Sequence, residues 1–143
     1  MRYAIKAPIL GFEYITSVEL VKIDEYFSKI IATNQNIAAT EYGTNQIAHN
    51  IEMMLVNPYA LREYSFIIPK YIESLLEIKN DSSVEVYCIV VLQRNVEDSM
   101  VNFLAPLVFN TANKTAGQIA LSMIEYPDFG FKESLKSFMR QGA

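Results

Sequence analysis

The sequence predicts a mainly β protein, a small antiparallel β-barrel-like domain with one mid-chain helix and one short C-terminal helix. Several runs alternate apolar and polar residues with a period of two, the spacing of side chains on a partly buried strand. Residues 84–92 begin with this alternation and then become wholly apolar, which is typical of a strand covered on both faces. The apolar runs of residues 101–118 flank a polar turn at residues 110–115, which predicts a hairpin.

Further strands are predicted at residues 2–7, 18–24, 26–31, 51–56 and 118–126. Prolines at positions 8, 58 and 127 end three of them, because proline has no backbone N–H to donate to a ladder. The third run, at residues 26–31, also fits the helical spacing i, i+3, i+4, so a short helix stays an alternative to the preferred strand. Pro106 lies inside an apparent strand, which requires an edge position, a strand start or a bulge.

Residues 69–78 predict the mid-chain helix, with Pro69 in its first turn and Ile72, Leu75 and Leu76 on one face. The preceding residues 59–64 are interpreted as a connector. The short C-terminal helix is predicted at residues 131–140. Its apolar residues at helical spacing are Phe131, Leu135, Phe138 and Met139.

The polar residues 34–50 predict a long, mobile loop or a hairpin tip. His49, the only histidine, lies at the far edge of this segment and is predicted to be an exposed strand residue. No second histidine or nearby cysteine accompanies it in the sequence, so we predict no metal site. No cofactor is predicted either.

Length and composition indicate one globular domain spanning residues 1–143, with 51% hydrophobic residues and a net charge of −4. The basic residues form no run, which argues against direct nucleic-acid binding. Every apolar run is far shorter than the roughly 20 residues of a membrane helix, and the N-terminus does not resemble a signal peptide. Cys88 stands alone and is predicted to be a buried small hydrophobe. We therefore expect a cytoplasmic protein without membrane contact.

The sequence contains no catalytic motif with recognisable spacing. The acidic pairs Asp24–Glu25 and Glu97–Asp98 lie on polar links and are interpreted as solvated charges. Nine Tyr, eight Phe and six Met fit either core filling or a protein-binding face. Two other classes stay open: a small-molecule-binding or enzymatic barrel, and a nucleic-acid-binding barrel.

Four segments, in this order along the chain, resemble the flagellar assembly factor FliW family. They are residues 8–13, residues 54–59, residues 101–110 together with Gln118, and residues 125–129. The third segment is the most specific, and the four are distributed over nearly the whole length of the chain. The resemblance implies a small β-barrel-like protein without enzymatic activity.

The resemblance also implies two protein partners: newly made flagellin, bound at its C-terminal region, and the translational regulator CsrA. In such a system CsrA holds flagellin mRNA in check. Free FliW captures CsrA after flagellin is exported, whereas accumulated flagellin occupies FliW instead. This partner switch needs only protein surfaces that compete, and we expect the chain to be a monomer.

Four residues are candidate partner-binding residues: Phe12, Glu13, Tyr59 and Asn110. A flagellin terminus is an amphipathic helix, and a groove for it would be apolar with a polar rim. We predict that the loop at residues 11–13, the turn at residues 57–59 and the Asn110 hairpin bound that groove. The alternative is that Pro58, Pro106 and Asn110 only fix turns and a bulge.

Overall fold

The computed structural model of this protein describes residues 1–37, 39–40, 43–44, 50–79 and 83–139. Its strands are β1 (Arg2–Ala7), β2 (Ser17–Lys22), β3 (Phe27–Ala32), β4 (Ala39–Thr40), β5 (Gly43–Thr44), β6 (Ile51–Val56), β7 (Val84–Val91), β8 (Met100–Val101), β9 (Leu107–Asn110), β10 (Thr115–Gln118) and β11 (Glu133–Ser134). Its helices are α1 (Pro58–Leu61), α2 (Lys70–Leu75) and α3 (Lys136–Met139).

Within the described ranges, seven strands close a barrel in the order β7, β6, β3, β2, β1, β10 and β9, and β9 pairs with β7 again. The predicted mainly β, barrel-like fold is confirmed. All of these neighbours are antiparallel except β1 and β10, which run parallel. At this parallel pair Gly117 lies opposite Ala7, and a Cβ added to Gly117 would come within 2.7 Å of the Ala7 Cβ. Glycine therefore permits the close approach that the β1–β10 contact requires.

Side chains of β7 alternate between two buried clusters, as the period of a strand dictates. Tyr87 faces the barrel interior with Tyr3 and Phe109, whose rings meet edge to face at 5.0 Å. Cys88 and Val90 belong to the second cluster, on the outer face of the barrel. Both faces of β7 are thus covered, which explains its nearly continuous apolar sequence.

The outer cluster is covered by α1, α2, the segment between them, and the C-terminal part of the chain. Ile72 and Leu76 are fully buried at this face. Tyr64 lies in its centre, where its hydroxyl donates to the Phe103 carbonyl at 2.6 Å. These short elements are stabilised by packing their apolar side chains against the outer face of the barrel, because none is long enough to be stable alone.

The strand opposite β7 is interrupted between β8 and β9. Val101 pairs with Val90 and Leu107 pairs with Tyr87, so residues 102–106 lie opposite only two residues of β7. Pro106 is the last residue of this irregular segment and directly precedes β9, which agrees with the strand start that the sequence allowed for it.

The hairpin between β9 and β10 is fixed to the end of α2 through the Leu76 carbonyl. The Asn110 and Asn113 side-chain amides each donate to this oxygen at 2.9 Å, and the Thr115 hydroxyl lies 3.2 Å from it. The polar turn that the sequence places here therefore caps a helix end as well as reversing the chain.

Several predicted boundaries are wrong. The strand expected at residues 118–126 ends at Gln118, and residues 123–125 form a turn. Residues 131–140 were expected to be helical, but Glu133–Ser134 is a short strand paired with β8, and the helix covers only Lys136–Met139. Ile119, Leu121, Leu135 and Phe138 pack on the outer cluster. Met123, Ile124 and Phe131 are instead exposed, so the spacing of apolar residues alone does not distinguish burial on this face from a regular strand or helix.

The middle of the chain holds two short helices where one was predicted. The expected connector at residues 59–64 contains most of α1, and the helix predicted at residues 69–78 is shortened to Lys70–Leu75. Leu75, assigned to the buried face, is exposed. The strand preferred for residues 26–31 is confirmed as β3.

The segment at residues 34–50 is described only in part. Residues 34–36 form a 3-10 turn, and Ala39 and Thr40 pair with Thr44 and Gly43 in a short hairpin. The hairpin alternative is borne out at these residues, whereas His49 lies outside the described residues.

Candidate partner-binding site

An apolar groove of about 970 Å³ opens at the end of the barrel where β6 begins and β7 ends. We call it the end groove. Its walls come from the loop after β1, from β6 and β7, from residues 100–105 and from the C-terminal segment. Apolar residues in its lining include Leu10, Phe12, Met53, Met54, Val91, Leu92, Met100 and Phe131.

Large apolar side chains project at the edge of the end groove. Leu10 is 81% exposed, Val91 60% and Phe131 57%. Single exposed apolar residues are ordinary, but several around one concavity mark a surface suited to binding. The thioethers of Met53 and Met100 add flexible apolar contact area.

One wall of the groove is held in place by Gln118. Its side-chain oxygen accepts from the Leu10 N–H at 2.7 Å, and its amide group donates to the Ala105 carbonyl at 3.2 Å. Next to Leu10, Gly11 adopts φ +87°, a left-handed conformation that favours glycine. Gln118 therefore links the loop after β1 to the irregular segment at residues 102–106 before β9.

The opposite wall is held by Arg62. Its guanidinium carbon lies 4.9 Å from the Phe129 ring centre and 5.2 Å from that of Phe103. The same group forms an ion pair of 3.2 Å with Glu133, whose carboxylate also accepts from the Gly130 N–H at 2.6 Å. These contacts fix the chain on both sides of Phe131 and Lys132, which line the groove.

A second concavity, of about 430 Å³, contains Tyr26 and Tyr59, and we call it the tyrosine pocket. An ion pair of 2.7 Å joins Lys22 to Glu85 at its wall. The hydrogen bond that the Lys22 ammonium donates to the Glu85 carboxylate is the main cause that raises the pKa of Lys22. Burial, followed by the charge of Glu85, raises the pKa of the neighbouring Tyr87 hydroxyl.

Three features of the described residues bear on possible chemistry. The described residues contain no group of three or more His, Cys, Asp or Glu side chains placed to hold a metal ion. Burial raises the pKa of the Cys88 thiol to about 12, so this thiol stays protonated and unreactive at neutral pH. The barrel interior, which an enzymatic or ligand-binding barrel would use, is filled by side chains such as Tyr3, Leu55 and Phe109.

The sequence model of the family described as FliW protein matches residues 2–135 of this chain. The flagellar assembly factor FliW of Helicobacter pylori (strain G27) is 60% identical over 142 residues, which cover 99% of this chain and 96% of that protein. The chain belongs to the FliW family.

A second relative agrees with this FliW assignment, and a solved structure shares the fold. Flagellar assembly factor FliW 1 of Wolinella succinogenes is 48% identical over 141 residues, 99% of this chain and 100% of that protein. A crystal structure of a flagellar assembly factor FliW matches with a TM-score of 0.71 at 18% identity, covering 94% of this chain and 84% of that one. The structural match shows a shared fold. In the described part of this FliW chain, no helix is long and apolar enough to cross a membrane.

The four candidate partner-binding residues of the FliW chain do not lie together. Phe12 is half-buried in the end groove, and the exposed Glu13 follows it, with its carboxylate accepting from the Gly11 N–H. Tyr59 is 52% exposed and lines the tyrosine pocket instead. Asn110 is 1% exposed and lines neither of these concavities.

Apart from Phe12, the sequence does not single out the residues that shape the end groove. The sequence predicts Phe131 on a helix face and Arg62 in a connector, and it gives Leu10 no role beyond the segment of residues 8–13 that carries the family resemblance. Gln118 stands out in the sequence only as part of the family resemblance. A glutamine at the end of a strand carries no signal that its two polar atoms join separate loops, so only the tertiary structure could reveal it.

Proposed function

We propose that this FliW-family chain binds flagellin and a CsrA-type translational regulator in the cytoplasm, and so couples flagellin synthesis to export. The observation that carries the proposal is the family match over residues 2–135, with a curated flagellar assembly factor 60% identical to this chain. The chain acts as a binding protein without catalysis, as a monomer, and contacts no nucleic acid directly.

The end groove is the proposed flagellin surface. It offers apolar walls with polar residues such as Glu52, Gln93 and Lys132 at its edge, the composition that suits an apolar peptide segment. Phe12 contributes to its wall, and Glu13 stands in the loop that forms it. The two partners exclude each other, so the regulator is free while flagellin occupies the chain.

The test is a binding measurement by isothermal titration calorimetry with purified flagellin and a purified CsrA-type protein. We expect each protein to bind the full chain, and prior saturation with flagellin to prevent capture of the regulator. Absence of binding to both would contradict the proposal. Simultaneous binding of both would contradict the partner switch alone.

The candidate residues are tested with Glu13→Lys and Tyr59→Ala. Both side chains are exposed enough for the variants to fold, and Glu97→Lys and Tyr71→Ala are matched exposed controls. A loss of flagellin affinity in Glu13→Lys but not in Glu97→Lys supports the groove wall. A loss in Tyr59→Ala but not in Tyr71→Ala adds the tyrosine pocket to the partner surface.

A further inference from the structure

The hydrogen-bonding direction of β7 is fixed by its neighbours. In an antiparallel strand, each residue directs its backbone N–H and C=O groups towards the same neighbouring strand. The next residue along the chain directs its two groups towards the strand on the opposite side. The Asn102 N–H donates to the Ile89 carbonyl at 3.2 Å, so Ile89 faces the β8–β9 side. Cys88 and Val90 consequently face β6, where they lie opposite Val56 and Met54.

This β6–β7 ladder stops one bonded pair early. Continuing the register beyond Met54 and Val90 would join Glu52 to Leu92, but the pairing ends at Met54. β6 extends beyond this ladder to Ile51. Among the described strands, its residues 51–53 pair only with β3. Among the described residues, no ladder pair joins Glu52 to Leu92. By the same alternation their N–H and C=O groups point to the space between the two strands, and both residues line the end groove.

The charges at the gap also favour one kind of occupant. The Glu52 carboxylate is already engaged by Lys29, at 3.0 Å. Lys132 is exposed, lines the groove, and forms no ion pair within the residues that the structure describes. The rim therefore offers one uncompensated cation, which an acidic side chain of the occupant would complement.

We propose that the flagellin segment bound in the end groove is extended and adds as a strand between β6 and β7, an inference that rests on the proposed function. Backbone groups of the segment bond to those of Glu52 and Leu92. Its apolar side chains contact Leu10 and Phe131, and an acidic side chain lies beside Lys132. This extended segment replaces the amphipathic helix expected from the family resemblance. A helix satisfies its backbone N–H and C=O groups internally and would form no hydrogen bonds with the backbone of Glu52 and Leu92.

The first test measures flagellin affinity by titration calorimetry. Leu10→Asp and Phe131→Asp each remove apolar contact, and we expect about tenfold or greater weakening. Lys132→Glu should weaken binding more than Lys132→Gln. Ile124→Asp is the matched control, because Ile124 is 91% exposed and does not line the groove; its affinity should equal that of the unaltered chain.

The second test reports the conformation of the bound segment. A peptide from the flagellin C-terminal region, labelled with ¹³C at its carbonyls, is bound to the full chain and its shifted amide I band is recorded. We expect a β-strand band, together with slower amide hydrogen exchange at Glu52 and Leu92.

The outcomes separate the two levels of the proposal. If the unaltered chain does not bind flagellin, the proposed function fails. If flagellin binds but the groove variants match the Ile124→Asp control, the groove assignment is overturned while the function stands. If the groove variants weaken binding but the labelled peptide gives a helical band, the added strand is overturned.

Discussion

The Arg62 guanidinium and the Glu133 carboxylate form a 3.2 Å ion pair that joins the region after α1 to β11. Because the guanidinium also lies against Phe103, Phe129 and Phe138, the pair is partly withdrawn from water. Both charged groups keep further hydrogen bonds, to the Asp128 carbonyl and from the Gly130 N–H. This single contact therefore organises the C-terminal wall of the end groove.

Replacing Arg62 should lower stability through lost stacking as well as lost charge. We expect Arg62→Ala to reduce the free energy of unfolding by about 1–3 kcal/mol, measured by urea denaturation. Arg62→Lys keeps the charge but not the planar guanidinium, and should recover only part of the loss. Full recovery by lysine would show that the aromatic stacking contributes nothing.

Asn110 provides a test between a structural and a partner-binding role. Asn110→Ala removes a buried donor to the Leu76 carbonyl, and we expect the free energy of unfolding to fall by about 1–3 kcal/mol. Asn113→Ala is the control, since Asn113 donates to the same oxygen but is exposed, and should have a smaller effect. Flagellin affinity per folded molecule should be unchanged in Asn110→Ala. Unchanged stability with lost affinity would instead support direct contact by Asn110.

Gln118 should affect the groove in two separable ways. Gln118→Leu removes both hydrogen bonds and should lower stability by about 1–2 kcal/mol while loosening the loop at Leu10. Gln118→Glu keeps the acceptor for the Leu10 N–H but loses the donor to Ala105. Amide exchange at Leu10 should therefore accelerate in Gln118→Leu but much less in Gln118→Glu. Equal acceleration in both variants would contradict the bridging role.

Alkaline pH should destabilise the outer cluster. Burial raises the pKa of Cys88 from 9.0 to about 12 and raises the pKa of the Tyr64 hydroxyl above its ordinary value of 10.0. The unfolded chain releases these protons at lower pH than the folded chain, so stability is retained below pH 9 and falls as the pH rises above 9 to 10.

The variant Tyr64→Phe separates the contribution of the tyrosine. It loses the hydrogen bond to the Phe103 carbonyl, so at neutral pH it should be about 1–3 kcal/mol less stable. Its stability should then decline less steeply above pH 10, in urea titrations at stepped pH, because one titrating group is gone. Parallel declines in both proteins would show that Tyr64 does not titrate on unfolding.

Cys88 supplies a further check on the fold. Its sulfur is fully buried, so a disulfide-exchange reagent should label it at pH 8 only as fast as the protein opens. Labelling in urea should be rapid. Rapid labelling of the native protein would contradict the burial of this strand.

Local patterns were sufficient for most of the strands. The alternation in β1, β2 and β7, and the polar turn at residues 110–115, identify these elements because a strand places every second side chain on the core. The apolar run of β6 is recognised by the proline that follows it. The family resemblance also depended on sequence alone, since it rests on the order of short segments.

The sequence by itself determined the β class, the central strand β7 and the family of this protein. Only the tertiary structure decided that residues 119–135 wrap the outer face, that Asn110 is buried, and that Phe12 and Tyr59 line different concavities. The physical reason is that periodicity records which side chains are buried, but not which surface buries them. The end groove arises where two strands stop pairing, and its walls depend on contacts such as that of Gln118 with Leu10, across 108 positions of the chain.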